Sequence, residues 1–202
     1  MAYSDFNLKR VKHELDIKVF EQEGVFTEIP EQDASDILKT ILKENVPLAR
    51  AINTEKARSE LIIANILVEI RKIFNHQISL FSGVEFNVDK ERSLNGYCDF
   101  IMSHSPEQLL ISAPIVVVVE AKNENIISGL GQCIAEMVAT QIFNEQEGNT
   151  EIDSIYGTVT TGTAWKFLKM KAMTVTIDLD EYSIDFPNKI LGILSAMINQ
   201  QA

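Results

Sequence analysis

Between residues 54 and 75 apolar side chains recur at helical spacing. Leu61, Ile62, Ile63, Ile66, Leu67, Ile70, Ile73 and Phe74 define one stripe. Thr54 or Asn53 is placed to cap this helix. Glu60 precedes Ile63, Ala64 and Leu67 by three, four and seven residues, which puts it on the core-facing stripe, with Arg58 and Glu69 toward water. Three strand-like runs follow. Val84 to Asp89 alternates with period two, and Tyr97 to Met102 comes after a turn at Asn95-Gly96. Ile115 to Lys122 is β-branched and apolar on both faces, the pattern of a central strand covered from both sides. Residues 129–147 then read as a second helix, with Ile134, Met137, Val138, Gln141 and Ile142 in register. Residues 155–161 and 171–179 read as strands and 181–185 as a short one, before Pro187 opens a helix through Met197.

Residues 1–53 read as an extension packed on the core, and 54–202 as the α/β domain itself. Within the extension, VKHELDIKVFEQEGVF forms either a strand pair or a short helix. Asp33 or Ser35 caps a helix over Asp36 to Asn45 that is broken before Pro47. No Gly/Ser/Pro linker separates the two parts, which argues against a freely hinged pair.

Composition narrows the classes. Of 202 residues 46% are hydrophobic and 23% charged, which excludes a largely disordered chain. The longest uninterrupted apolar run, Ile115 to Val119, is far shorter than the ~18 residues of a membrane span. The N-terminus MAYSDFNLKRVKHELD has no apolar signal region, and two cysteines build neither a disulfide framework nor a metal cluster. The expected compartment is the cytoplasm, with no membrane partner. Eighteen Lys+Arg against 29 Asp+Glu give a net charge of −11. A chain this acidic does not grip nucleic acid with its whole surface. It needs a local basic patch, for which Lys166, Lys169 and Lys171 are candidates, or a bound metal, or a partner.

The chemistry-bearing residues sit at strand ends. Glu120 and Lys122 are two apart on one strand and share a face. If the preceding strand pairs beside it, Asp99 reaches Glu120. Two carboxylates supply hard oxygen ligands of the kind Mg²⁺ takes, and a lysine beside them orients or deprotonates a water that attacks phosphorus. The competing reading is a structural ion pair in which Glu120 and Lys122 neutralise each other. Other features point less far. Gly129-Leu-Gly131 resembles part of a phosphate-binding loop but lacks its third glycine and its lysine, so it reads as a helix entry. His13, His76 and His104 have no ligand spacing; Cys98 faces away from Asp99; Cys133 has no apparent His or Asp partner. Trp165 after its Thr-rich turn either plugs the sheet edge or stacks on a base.

Asp99, Glu120 and Lys122, in the order helix–strand–strand–strand–helix–strand, resemble the PD-(D/E)XK nuclease superfamily over roughly Glu55 to Ile177. The resemblance implies a restriction-endonuclease-like α-β-β-β-α-β core, a mixed central sheet flanked by helices. It implies that Asp99 and Glu120 ligate Mg²⁺ (or Mn²⁺), that the carbonyl of Ala121 helps, and that Lys122 activates water. It further implies that Glu60 on the first core helix completes the metal site and that Gln132 supports it from the second. The partner so implied is nucleic acid, with DNA favoured, and a homodimer is a further expectation. Gly157 to Trp165 is similar to the strand and turn of uncharacterised bacterial members, a cyanobacterial group in particular. Two positions depart from the pattern: Cys98 stands where proline is common, and Glu136 stands four residues beyond Gln132, where exonuclease-like members carry tyrosine. The alternative function is a catalytically silent module of this fold, kept for dimerisation or partner binding.

Overall fold

Ile115 to Ala121, the most apolar stretch, becomes strand β4, and every residue in it is buried. Burying a Val or Ile side chain contributes ~1.5–3 kcal/mol, so such a run settles between two covering layers. The computed structural model describes residues 2–149, 151–200 and 202. Its strands are β1 (Lys18–Gln22), β2 (Ser79–Glu85), β3 (Tyr97–Ser103), β4 (Ile115–Ala121), β5 (Ile155–Thr160), β6 (Ala164–Lys171), β7 (Thr174–Asp178) and β8 (Tyr182–Ser183). They form one mixed eight-stranded sheet in the order β1-β7-β6-β5-β4-β3-β2, with β8 beside β6. β3 lies between β2 and β4 and is antiparallel to both, and β5 joins β4 in parallel. At the far edge β1, from the N-terminal extension, pairs with β7, so the extension is built into the sheet.

Helices cover both faces. On one side lie α2 (Asp36–Ile52), α4 (Ala64–Ile73) and α6 (Pro187–Ile198), whose Leu38, Ile66, Leu67 and Leu194 share a core with Phe100, Val117 and Val119. On the other lie α1 (Leu8–Glu14) and α5 (Ile126–Gln146), with Val11, Ile134 and Val138 packed on Cys98, Ile101, Val118 and Val159. α5 is long and apolar enough to cross a membrane, and 67% of that window is buried inside this fold. Asn144 locks α5 to the start of β4: its Oδ1 accepts from Ile115 N at 2.8 Å and its Nδ2 donates to Ile115 O at 2.7 Å.

Several boundaries differ from the sequence pattern for identifiable reasons. α2 runs through Pro47, because Pro47 and Lys43, whose carbonyl it leaves unbonded, lie on the exposed side. Ser35 is its cap, accepting from Leu38 N at 3.2 Å, and Asn53 ends it in the left-handed region at φ 53°. The first core helix is not uniform. α3 (Glu55–Arg58) passes into a π-helical segment, Ser59–Ile63, and then into α4. The first strand of the hairpin lies at 79–85 rather than 84–89, since residues 86–96 form the connection, with a single bridge between Asp89 and Leu94. β6 was not expected as a strand, its alternation being broken by lysines. Lys166 is nonetheless 3% exposed, its ammonium donating to the carbonyls of Asp178 (3.0 Å), Leu179 (2.8 Å) and Asp180 (3.2 Å).

Candidate active site

The carboxyl end of β4 gathers Asp99, Glu120, Lys122 and Gln132. Phe100 pairs with Val119, so the antiparallel register brings Asp99 opposite Glu120. The regular ladder stops there. Neither the Asp99–Glu120 pair nor the Gly83–Asp99 pair is formed, and Gly83 takes φ 62°. Released from the ladder, Asp99 turns its Oδ2 to accept from Ala121 N at 2.8 Å. Irregularities of this kind re-aim side chains beside functional sites. Glu120, 1% exposed, has both oxygens engaged. Oε1 is paired with the Lys122 ammonium, and Oε2 accepts from Gln132 Nε2 at 2.8 Å. Lys122 also reaches Gln132 Oε1 at 3.4 Å.

The electrostatics are those of too many carboxyls for one cation. Burial raises the Asp99 carboxyl above the ordinary range, only partly opposed by the Ala121 amide, Lys122 and Glu120. Burial, and then the neighbouring Asp99 charge, push Glu120 up to about 7 despite Lys122. Lys122 is pulled down by burial, but Glu120 and more distant carboxylates outweigh that and raise it. Both members of the ion pair thus shift upward. The ammonium is shared among several carboxyls and neutralises none of them fully.

A third buried carboxyl adjoins the group, and its contact opposes the rise at Glu120. Glu136, 0% exposed, lies one helical turn beyond Gln132 and accepts from the same Nε2 at 3.1 Å. Burial first, and Glu120 next, hold its carboxyl well above the usual range. The sequence did carry a signal for it: an acidic residue inside the apolar run Ile134-Ala-Glu-Met-Val, four residues from Gln132.

Glu60 stands apart from this group. Its side chain is 62% exposed and pairs with Lys56 at 3.1 Å, so it does not face the core. The π-helical segment adds a residue to the turn, which rotates Glu60 off the stripe that α-helical counting assigns it. It still lines a cleft of about 290 Å³ together with Asp99, Ala121, Glu55 and Ser82. Glu69, expected in water, is 7% exposed and accepts from Ser35 N at 2.9 Å, covered by the start of α2. Gly129 and Gly131 lie inside α5 rather than at its entry, which Asn125 caps. A Cβ on Gly129 would stand 2.7 Å from Val159 Cγ1 and 3.0 Å from Lys122 Cε, and one on Gly131 2.3 Å from Asn7 Cα. These glycines seat the lysine stem and the N-terminal segment.

The remaining candidates serve packing. Trp165 is fully buried and donates to Gly162 O at 3.0 Å, which leaves no face for a base. Cys98 and Cys133 are buried thiols whose ionisation burial opposes. Lys166 is buried and Lys171 pairs with Asp153 at 2.5 Å, so the lysines of β6 form no open basic patch.

The donor set of Asp99 and Glu120, oxygen-only and electrostatically under-compensated, fits a hard divalent cation. Among the described residues no group of three or more His, Cys, Asp or Glu side chains is already disposed around one point as ligands. No family model matches the chain, and no curated protein matches it.

Proposed function

We propose that the chain is a Mg²⁺-dependent nuclease that hydrolyses phosphodiester bonds of nucleic acid. The observation that carries this reading is the meeting of Asp99, Glu120 and Lys122 at the end of β4, with both carboxyls raised and Asp99 lining an open cleft. The order and directions of 55–73, β2, β3, β4, α5 and β5 support a restriction-endonuclease-like core. Asp99 and Glu120 would hold the ion, with the Ala121 carbonyl beside them and Glu60 at the cleft rim. Bound there, Mg²⁺ supplies charge stabilisation at the phosphate and acidifies a water. Lys122, on the same strand face as Glu120 and held as an ammonium by its carboxyl neighbours, would orient a water for attack and donate to charge developing at the phosphate. Gln132 keeps Glu120 and Lys122 in place. DNA is the favoured substrate, approached through the cleft rather than through a broad basic surface.

The second reading, a silent module of the same fold, is favoured by one feature: both oxygens of Glu120 are already occupied by Lys122 and Gln132. Calorimetric titration with Mg²⁺ separates the two. Saturable binding that Asp99→Asn abolishes supports the nuclease reading; no binding to the wild-type chain supports the module.

A further inference from the structure

We infer that Glu136 is a positioning residue: it locks the side-chain amide of Gln132 and, through it, the carboxyl of Glu120. The second half of this inference rests on the reading of Glu120 as a metal ligand.

An amide has two N–H donors on one atom and an acceptor on the other. At Gln132 both donors are used, one to Glu120 Oε2 at 2.8 Å and one to Glu136 Oε1 at 3.1 Å, while Oε1 accepts from Lys122. Turned over, the amide would set its NH₂ against the Lys122 ammonium and withdraw its N–H donors from both carboxyls. One orientation is therefore favoured, and Glu136 supplies one of the three contacts that favour it.

Packing alone gives no reason for a carboxyl there. Glu136 is fully buried between Ala135 and Met137, which pack in the α5 core, and its Oε2 has no donor beside it; only as the protonated acid does the carboxyl gain a further bond, to Glu120. Such an oxygen destabilises a fold, and an apolar side chain of similar size is often neutral or better. What Glu136 does provide is an acceptor at the one point from which the Gln132 amide is held against Glu120. Groups standing behind a metal ligand are known to set its affinity for the ion.

The test uses two variants of the whole chain. Glu136→Met removes the acceptor and keeps the volume; Glu136→Gln keeps a carbonyl oxygen that accepts the same bond. The first readout is the Gln132 side-chain NH₂ pair in ¹⁵N–¹H spectra without metal. It should be dispersed and slow to exchange in wild type and Glu136→Gln, and collapse toward free-amide positions in Glu136→Met. The second is Mn²⁺ binding followed by electron paramagnetic resonance. Affinity should fall roughly 10–100-fold in Glu136→Met and stay near wild type in Glu136→Gln. A urea midpoint for Glu136→Met at or above wild type shows that the losses are not unfolding. Unchanged Gln132 signals in Glu136→Met overturn the proposal. Collapsed signals with unchanged Mn²⁺ affinity overturn the link to Glu120. Collapsed signals with no Mn²⁺ binding by wild type uphold the lock on Gln132 and remove the metal reading of the site.

Discussion

Raising the pH without divalent metal should destabilise this protein across a range in which many proteins are near their best. The cause is Glu120. Its carboxyl has an ordinary value of 4.5 and is pushed up to about 7 in the fold. Between those values the unfolded chain has released a proton that the folded chain still holds. Rising pH therefore favours unfolding: the stability contributed by protonated Glu120 is full below about 4.5 and lost as pH rises through about 7. The interval, at ~1.4 kcal/mol per pH unit, corresponds to about 3 kcal/mol. For a chain of this length that lowers the melting temperature by roughly 6–12 °C. Asp99 and Glu136 shift in the same direction and steepen the fall. Lys122 does not oppose it in this window, because its raised value only matters above the ordinary lysine range. The assay is urea unfolding in a chelator at constant ionic strength from pH 4.5 to 8, beside Glu120→Gln. The neutral isostere removes the Glu120 share, so its curve should be flatter than that of wild type; the difference between the curves excludes general charge repulsion as the cause. Stability that is level or rising over this range in wild type, or equal slopes in the two proteins, refutes the reasoning.

Other perturbations have equally definite outcomes. Lys122→Met removes the cation paired with buried Glu120 and should lower the melt without metal by the equivalent of about a kcal/mol or more. Added Mg²⁺ should restore much of that by binding the folded state, whereas the Glu120→Gln melt should be insensitive to Mg²⁺; melts that ignore Mg²⁺ in all three proteins fit only the ion-pair reading. Gly129→Ala drives a methyl into Val159 and the Lys122 stem and should cost ~1–3 kcal/mol in urea unfolding. Asn144→Ala leaves the buried N–H and C=O of Ile115 without their partners, an expected loss of roughly 2–4 kcal/mol by the same measurement.

The parts of the fold legible in the sequence were those governed by local period. The β4 run and the α5 helix follow from residue order, which also narrowed each cap to two residues, of which Ser35 and Thr54 make the bond. So did the sharing of a face by Glu120 and Lys122, which strand geometry fixes. What was not legible depended on non-local accommodation. Glu60 was misdirected because one π-helical turn shifts the count, and nothing in Ser59–Ile63 announces it. Pro47 did not end α2 because the carbonyl it leaves free sits on the exposed side, which only the tertiary packing decides. Lys166 hid β6, since a buried lysine becomes tolerable only when three carbonyls from a later turn converge on it. Glu136 belongs between these cases. Its spacing from Gln132 was readable, but its meaning needed the third partner, Glu120, supplied from another strand.

The central claim is that Asp99, Glu120 and Lys122 form a working phosphodiesterase site. Its most direct test is incubation of the purified chain with supercoiled plasmid and with end-labelled single-stranded DNA, in Mg²⁺ or Mn²⁺, beside Asp99→Asn. The account predicts strand cleavage that requires the divalent ion, stops with chelator and is lost in Asp99→Asn. Intact substrates at enzyme excess in both ions, or cleavage that persists undiminished in Asp99→Asn, would contradict it.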